Sequence, residues 1–62
     1  AAMKLTPETI QQLAAHRIKP LDAPERTIQR AQRLVLVKVG KGKTVPVALR
    51  EATSFAAKET DR

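Results

Sequence analysis

One stretch, from Leu34 to Leu49, constrains the fold more than any other part of the chain; it reads LVLVKVGKGKTVPVAL. Its first six residues are apolar or β-branched apart from Lys38, and the run from Thr44 onward is mostly apolar again. Two β-prone runs separated by a short glycine-containing loop are typical of a β-hairpin. The stretch therefore predicts a hairpin with a cationic tip, formed by Lys41 and Lys43.

Pro46 leaves the second half of this stretch open to another interpretation. Proline has no backbone N–H, so in a sheet it must lie at an edge or a bulge. Thr44 could instead cap a longer helix that begins at Val45 and holds Pro46 in its first turn, which would leave only one strand. The alternation of Val45, Val47 and Leu49 favours the hairpin, so a second strand is expected here.

Two helices are predicted before the hairpin. The first should begin with Thr6 as its cap and Pro7 at the first helical position. It should end near residues 17–19, because Pro20 disfavours helical geometry in the residue before it. The second helix is predicted to begin at a capping box formed by Asp22 and Glu25.

The second helix should give way to the first strand at Arg33 to Leu34, and a third helix with Phe55 as its main anchor should follow the hairpin. The expected fold class is α+β, a small α-α-β-β-α domain. Its layout is that of a winged helix-turn-helix with a basic β-hairpin.

The chain is predicted to form one small domain. Sixty-two residues with one Phe, one Met, no Trp, no Tyr and no Cys provide a thin core and no disulfide. A homodimer that buries additional area is therefore expected. Residues 5–59 should form a single small basic domain, between a flexible N-terminus or cloning remnant at 1–4 and a frayed C-terminus at 60–62.

The charge of the chain predicts a polyanionic partner. Twelve Lys and Arg against six Asp and Glu give a formal net charge of +6, a balance common in proteins that bind nucleic acid. The segment 26–50 contains cations and no acid. Its cations are Arg26, Arg30, Arg33, Lys38, Lys41, Lys43 and Arg50.

Duplex DNA is the predicted polyanion, because binders of single strands stack bases on aromatic side chains and this chain has only Phe55. Arg and Gln side chains suit the guanine and adenine edges of a major groove. The alternative without a binding function is a solvated cationic face that only keeps the protein soluble. The predicted nucleic-acid-binding residues are Arg26, Gln29, Arg30, Arg33, Lys38, Lys41 and Lys43, with the three lysines assigned to phosphates.

No catalytic or cofactor site is predicted. The segment GKGKT at 40–44 resembles part of a phosphate-binding P-loop, but that motif requires a glycine where Val37 stands. His16 has no second ligand at metal-binding spacing, and Ser54 has no local base. We therefore expect a non-enzymatic protein with no metal and no cofactor. No run is long or apolar enough to span a membrane, and a cytoplasmic location is expected.

From Leu34 to about Lys58, the order of apolar strand, basic glycine turn, PVAL and a helix carrying Phe55 is similar to the C-terminal part of the Phd/YefM antitoxin fold. That resemblance implies a small dimeric DNA binder that represses its own operon and neutralises a toxin through a C-terminal segment. The N-terminal half lacks the opening strand of that family. Small excisionase-like winged helices are similar in layout as well, so no single family is assigned.

The predicted function is a non-enzymatic duplex-DNA-binding protein, acting as a small transcriptional regulator or DNA-architectural factor. Two alternatives stay open. An antitoxin-like or inhibitor protein would bind an acidic protein partner, with the edge of the hairpin available to another sheet. A structured-RNA or ribosome-binding protein would use the same cations.

Overall fold

The computed structural model describes residues 6–60, which form three α-helices and one short 3-10 turn. Helix α1 is Pro7–Ile18, α2 is Glu25–Gly40 and α3 is Val45–Thr60; the 3-10 turn, Lys19–Leu21, joins α1 to α2. No strand occurs within residues 6–60. The predicted α+β fold is therefore wrong, and with it the β-hairpin and the winged helix-turn-helix.

The run predicted as the first strand is the second half of α2. Ile28, Ala31 and Val35 are buried at helical spacing, so the helix established upstream continues through the run. Leu34 is partly buried against the core, whereas Val37 is exposed. A short apolar run fits a strand and a buried helical segment equally well, and the register of the preceding turns decides between them.

The glycine loop predicted as the hairpin tip ends α2 instead. Gly42 has a φ of +98°, in the left-handed region that favours glycine. Its N–H donates to the Val39 carbonyl at 3.0 Å, and the N–H of Lys43 donates to the Lys38 carbonyl at 3.1 Å. These two bonds form a Schellman motif, a common helix C-terminus. Hairpin turns and helix ends both use glycine at positive φ, which explains the wrong prediction.

The run predicted as the second strand is the first turn of α3. This helix begins at Val45, and Pro46 lies in its first turn, where its missing N–H removes no helical hydrogen bond. The Thr44 carbonyl accepts from the Ala48 N–H at 2.9 Å. The alternative in which a helix begins at Val45 is therefore correct for this segment.

Helix α1 begins and ends as predicted, whereas α2 begins differently. Thr6 Oγ1 accepts a hydrogen bond from the Thr9 N–H at 3.2 Å, and α1 ends at Ile18. Pro24 holds the N-cap position of α2 without a side-chain hydrogen bond. Asp22, predicted as that cap, has a φ of 54° and ends the 3-10 turn.

The core between the three helices is small and rich in alanine. Phe55, predicted as the main anchor of the third helix, is only partly buried at the edge of the core. The inward face of α3 consists of Leu49 and three alanines. The buried apolar residues are Ile10, Ala14, Ile18, Ile28, Ala31, Val35, Ala48, Leu49, Ala52 and Ala56.

Some predictions concern the ends of the chain. Thr60, predicted to fray, is the last residue of α3. The predicted flexible N-terminus at 1–4 and the remainder of the frayed C-terminus at 61–62 lie outside the described residues.

Candidate nucleic-acid interface

Helices α2 and α3 lie antiparallel and form a helical hairpin. Residues that meet across their seam advance by four positions along α2 and fall back by four along α3. The pairs are Arg30 with Glu59, Leu34 with Phe55, and Lys38 with Glu51. The two ion pairs have N–O distances of 3.3 and 3.0 Å, and the apolar pair lies between them in one surface groove.

The four site residues predicted on α2 share its exposed face. Arg26, Gln29, Arg30 and Arg33 are all exposed, on the side of the helix away from its buried residues. Seven positions of an α-helix rise by about 10 Å, so the four side chains leave the helix within two turns. We call this set the arginine face.

Gln32, the other glutamine among these arginines, does not belong to the arginine face. Its Nε2 donates to the backbone carbonyl of Gln11 at 2.9 Å in a partly buried contact. The side chain therefore joins α2 to α1. Sequence spacing alone does not separate it from Gln29, because the distinction depends on where α1 packs.

The three arginines of the arginine face differ in their ion pairs. Arg30 binds Glu59, yet 63% of its side-chain surface stays exposed. Arg26 and Arg33 form no ion pair within residues 6–60. An exposed pair contributes little, about 0–1 kcal/mol, so an incoming polyanion can compete with Glu59 for the Arg30 guanidinium.

Two of the predicted phosphate-binding lysines bind a carboxylate of the fold. Lys38 and Lys43 both contact Glu51, with N–O distances of 3.0 and 3.4 Å. They hold the two Schellman positions that usually make an apolar contact with each other. Here their ammonium groups converge on α3 instead. Lys41, the third predicted lysine, is exposed and has no ion pair in the described part of the chain.

Lys38, Lys43 and Glu51 form a group that we call the lysine cluster, with the Glu51 carboxylate between the two ammonium groups. The hydrogen bond from Lys38 is the largest cause of a lowered pKa of the Glu51 carboxyl group. The charge of Lys38, together with the hydrogen bond and charge of Lys43, lowers the pKa further. The shift favours the charged carboxylate and therefore the cluster at neutral pH.

A polar hollow of about 260 Å³ lies at the N-terminus of α2. Arg26 and Arg30 line it, together with the partly exposed carboxylate of Glu59. The first N–H groups of α2 have no side-chain cap here. Free N–H groups and the positive end of the helix dipole add to the potential of the two arginines.

An apolar groove, which no sequence pattern predicts, adjoins the arginine face. The groove consists of two adjoining hollows that share Leu34 and Phe55. Val37, which is 46% exposed, completes the apolar floor of one of them. Leu34 and Val37 belong to the predicted first strand, and Phe55 to the predicted core. Charged residues also line the groove: Arg30, Arg33, Lys38, Lys58 and Glu51.

The two residues set aside as unreactive lie on different helices. His16 is exposed in the last turn of α1, and Ser54 is exposed on α3. Within residues 6–60, no three His, Cys, Asp or Glu side chains come close enough to hold a metal ion. Over the same range, no helix has the length and apolar character needed to cross a membrane.

No protein-family model, curated protein or solved structure matches this chain. The resemblances to Phd/YefM antitoxins and to excisionase-like winged helices depended on a strand and a basic turn. Those segments are the second half of α2 and its C-terminal cap. The resemblances therefore support neither the fold nor a family.

Proposed function

We propose that this protein binds duplex DNA through the arginine face of α2, as a small transcriptional regulator or DNA-architectural factor of the cytoplasm. The observation that carries the proposal is the exposure of Arg26, Gln29, Arg30 and Arg33 on one side of one helix. An α-helix fits the major groove of B-DNA, and Arg and Gln can bind guanine and adenine edges there.

The proposed contacts divide between phosphates and bases. Arg26 lies in the first turn of α2, and Lys41 follows its last residue, so the two cations are separated by about 22 Å of helix rise. They are assigned to phosphates on either side of the groove. Gln29 and Arg33, between them, are assigned to base edges. Arg30 can serve either role once it leaves Glu59.

Lys38 and Lys43 have a secondary part in this proposal. Both are engaged by Glu51, so their charges are partly neutralised within the fold. They add to the positive potential that attracts DNA but are not proposed as its main contacts.

Duplex is favoured over single-stranded nucleic acid because the surface offers little for stacking. Phe55 is the only aromatic residue of the chain, and it is partly buried between α2 and α3. Binders of single strands depend on several exposed aromatic rings. The arginine face has three cations and one amide, which suit phosphates and paired base edges.

A salt series tests this proposal. The affinity for a short labelled duplex is measured by fluorescence anisotropy between about 50 and 200 mM salt. We expect log K to fall linearly with log salt, with a slope of about −0.9 for each phosphate contacted. An RNA duplex of equal length, added as competitor, should displace the DNA poorly.

Arg33→Ala and Arg17→Ala form a matched pair for this experiment. Both remove one exposed arginine, but Arg17 lies on α1, outside the arginine face. Arg33→Ala should weaken binding by about 1–3 kcal/mol, and Arg17→Ala should have little effect. Equal losses in the two variants, or an affinity that does not change with salt, would contradict the proposal.

A further inference from the structure

The groove between α2 and α3 contains the only aromatic side chain of the chain. Phe55 lies at the edge of the core, while alanines occupy the inward positions of α3. Full burial of such a side chain contributes about 1.5–3 kcal/mol, and Phe55 is only partly buried. A ligand that covers the exposed part of its ring would therefore gain further hydrophobic stabilisation. Together with Leu34 and Val37, Phe55 presents an apolar surface, and aromatic residues beside arginines are enriched in protein interfaces.

Each side of the groove carries a cation that no carboxylate of residues 6–60 binds. Arg33 stands on the α2 side and Lys58 on the α3 side. The other two cations of the lining, Arg30 and Lys38, are paired with carboxylates of α3. A complementary ligand therefore has an apolar stripe with carboxylates along both edges.

The same groove on a second copy of this chain does not complement this groove. In a two-fold symmetric contact the same surface meets itself, so Arg33 and Lys58 would approach the cations of the other copy. Burying like charges together is unfavourable. Duplex DNA would satisfy the two cations, but the apolar surface of its major groove is limited to thymine methyl groups, which are too small to cover Val37 and Phe55 together.

We infer that the groove is a docking site for an acidic amphipathic α-helix of a partner protein. Leu34 and Val37 are three positions apart on α2, with Phe55 across the groove. This floor covers about 5 Å of helix rise and lies between the two ion pairs across the seam, so it matches a ligand helix with apolar residues one turn apart, at i and i+3 or i+4. Glu or Asp residues on both edges of that stripe pair with Arg33 and Lys58.

The inference goes beyond DNA binding, because the ligand and most of the contacts differ. Arg33 belongs to both surfaces, so a partner helix in the groove would also weaken binding to DNA. That consequence rests on the proposed function; the docking itself does not.

Synthetic peptides test the docking site directly. The probe is a fluorescein-labelled helical peptide with leucines at i and i+4 and glutamates along both edges of the leucine stripe. The comparison peptide has the same composition in a scrambled order that removes the stripe. We expect the amphipathic peptide to bind at least about tenfold more tightly in fluorescence anisotropy.

Substitutions of exposed valines locate the binding surface. Val37→Ser alters the floor of the groove at a residue that is 46% exposed, whereas Val47→Ser alters α3 at a residue that is 39% exposed and outside the groove. Val37→Ser and Lys58→Ala should each weaken the amphipathic peptide by about fivefold, and Val47→Ser should leave it unchanged. Circular dichroism confirms that each variant stays helical.

Several results would overturn the inference. Equal affinity for the amphipathic and scrambled peptides would reduce the interaction to net charge alone. Equal losses for Val37→Ser and Val47→Ser would place the peptide elsewhere. Self-association of the chain that Val37→Ser abolishes, seen by analytical ultracentrifugation, would assign the groove to a second copy.

Arg26→Ala separates this inference from DNA binding, because Arg26 lies on the arginine face and outside the groove. It should weaken binding to the duplex and leave the peptide affinity unchanged, whereas Val37→Ser should do the opposite. A chain that binds the peptide but no duplex supports the docking site and contradicts the proposed function. A chain that binds only the duplex contradicts the docking site.

Discussion

The arginine face and the lysine cluster at the C-terminal end of α2 both contain positively charged side chains, but these side chains differ in their carboxylate partners. Arg26 and Arg33 extend into solvent without a carboxylate partner in residues 6–60, whereas Lys38 and Lys43 share Glu51. In the sequence all four belong to one block without acids. A cationic block can therefore pair with a carboxylate of the fold at one end and remain exposed to solvent at the other. The packing of α3 decides which end is which.

The largest effect on DNA affinity is expected from a comparison of two double variants, each of which removes two cations at one end of the cationic block. Arg26→Ala with Arg33→Ala and Lys38→Ala with Lys43→Ala each remove two cations. Anisotropy titrations at one salt concentration should show at least a tenfold loss of DNA affinity for the arginine pair, since each contact contributes about 1–3 kcal/mol. The lysine pair should lose much less. Similar losses would erase the functional distinction between the two ends.

The loop glycines test whether the end of α2 has the geometry that brings Lys43 to Glu51. Gly42→Ala should destabilise the protein by about 1–2 kcal/mol, because its φ of +98° is strained for any residue with a side chain. No atom lies within 4 Å of the added methyl group, so a steric clash does not contribute. Gly40→Ala has equal space but lies in the last helical turn. It should stabilise the protein by about 0.5 kcal/mol. Urea unfolding measures both, and a neutral Gly42→Ala would contradict the Schellman motif.

Glu51→Gln should move the lysine cluster toward the behaviour of the arginine face. The amide keeps the shape of the side chain but attracts Lys38 and Lys43 more weakly, so both ammonium groups become more available. We expect a slightly lower melting temperature and a DNA affinity raised by about twofold. Thermal unfolding and anisotropy measure the two effects. A variant with lower DNA affinity than the native chain would show that Glu51 positions the lysines for DNA.

The smallest effect is a dependence of stability on pH. The pKa of Glu51 is lowered in the folded chain, mainly by the hydrogen bond from Lys38. The unfolded chain therefore binds more protons at acid pH, so the free energy of unfolding decreases as the pH is lowered through that window. The stabilisation by the cluster is complete above the ordinary carboxyl pKa and is lost as pH falls through the lowered one. The stability difference between native chain and Glu51→Gln should accordingly shrink in acid urea titrations.

Local signals in the sequence predicted part of the fold. The cap at Thr6 and the end of α1 before Pro20 follow from the chemistry of single residues, and both are confirmed. The strand prediction failed because the valines between residues 34 and 39 satisfy a strand pattern, while burial continues the helical register of α2. Gly42 signals a turn, but its positive φ is equally suited to a helix end.

The candidate surfaces were predictable to different extents. The arginine face needed only the helical spacing of Arg26, Arg30 and Arg33, so it survives the change of fold class. The lysine cluster and the groove depend on the antiparallel pairing of α2 with α3. No pattern within a single helix shows that Glu51 lies opposite Lys38, or that Phe55 faces outward.

The alanine core has a geometric consequence for the outer surface. Ala31 on α2 and Ala52 and Ala56 on α3 are fully buried, and side chains of this size let helix axes approach to the short end of the usual 8–10 Å range. The size of the buried side chains between α2 and α3 therefore sets the width of the external groove. A larger side chain at Ala52 would act as a spacer, moving Arg33 and Lys58 apart without altering any residue that a ligand touches.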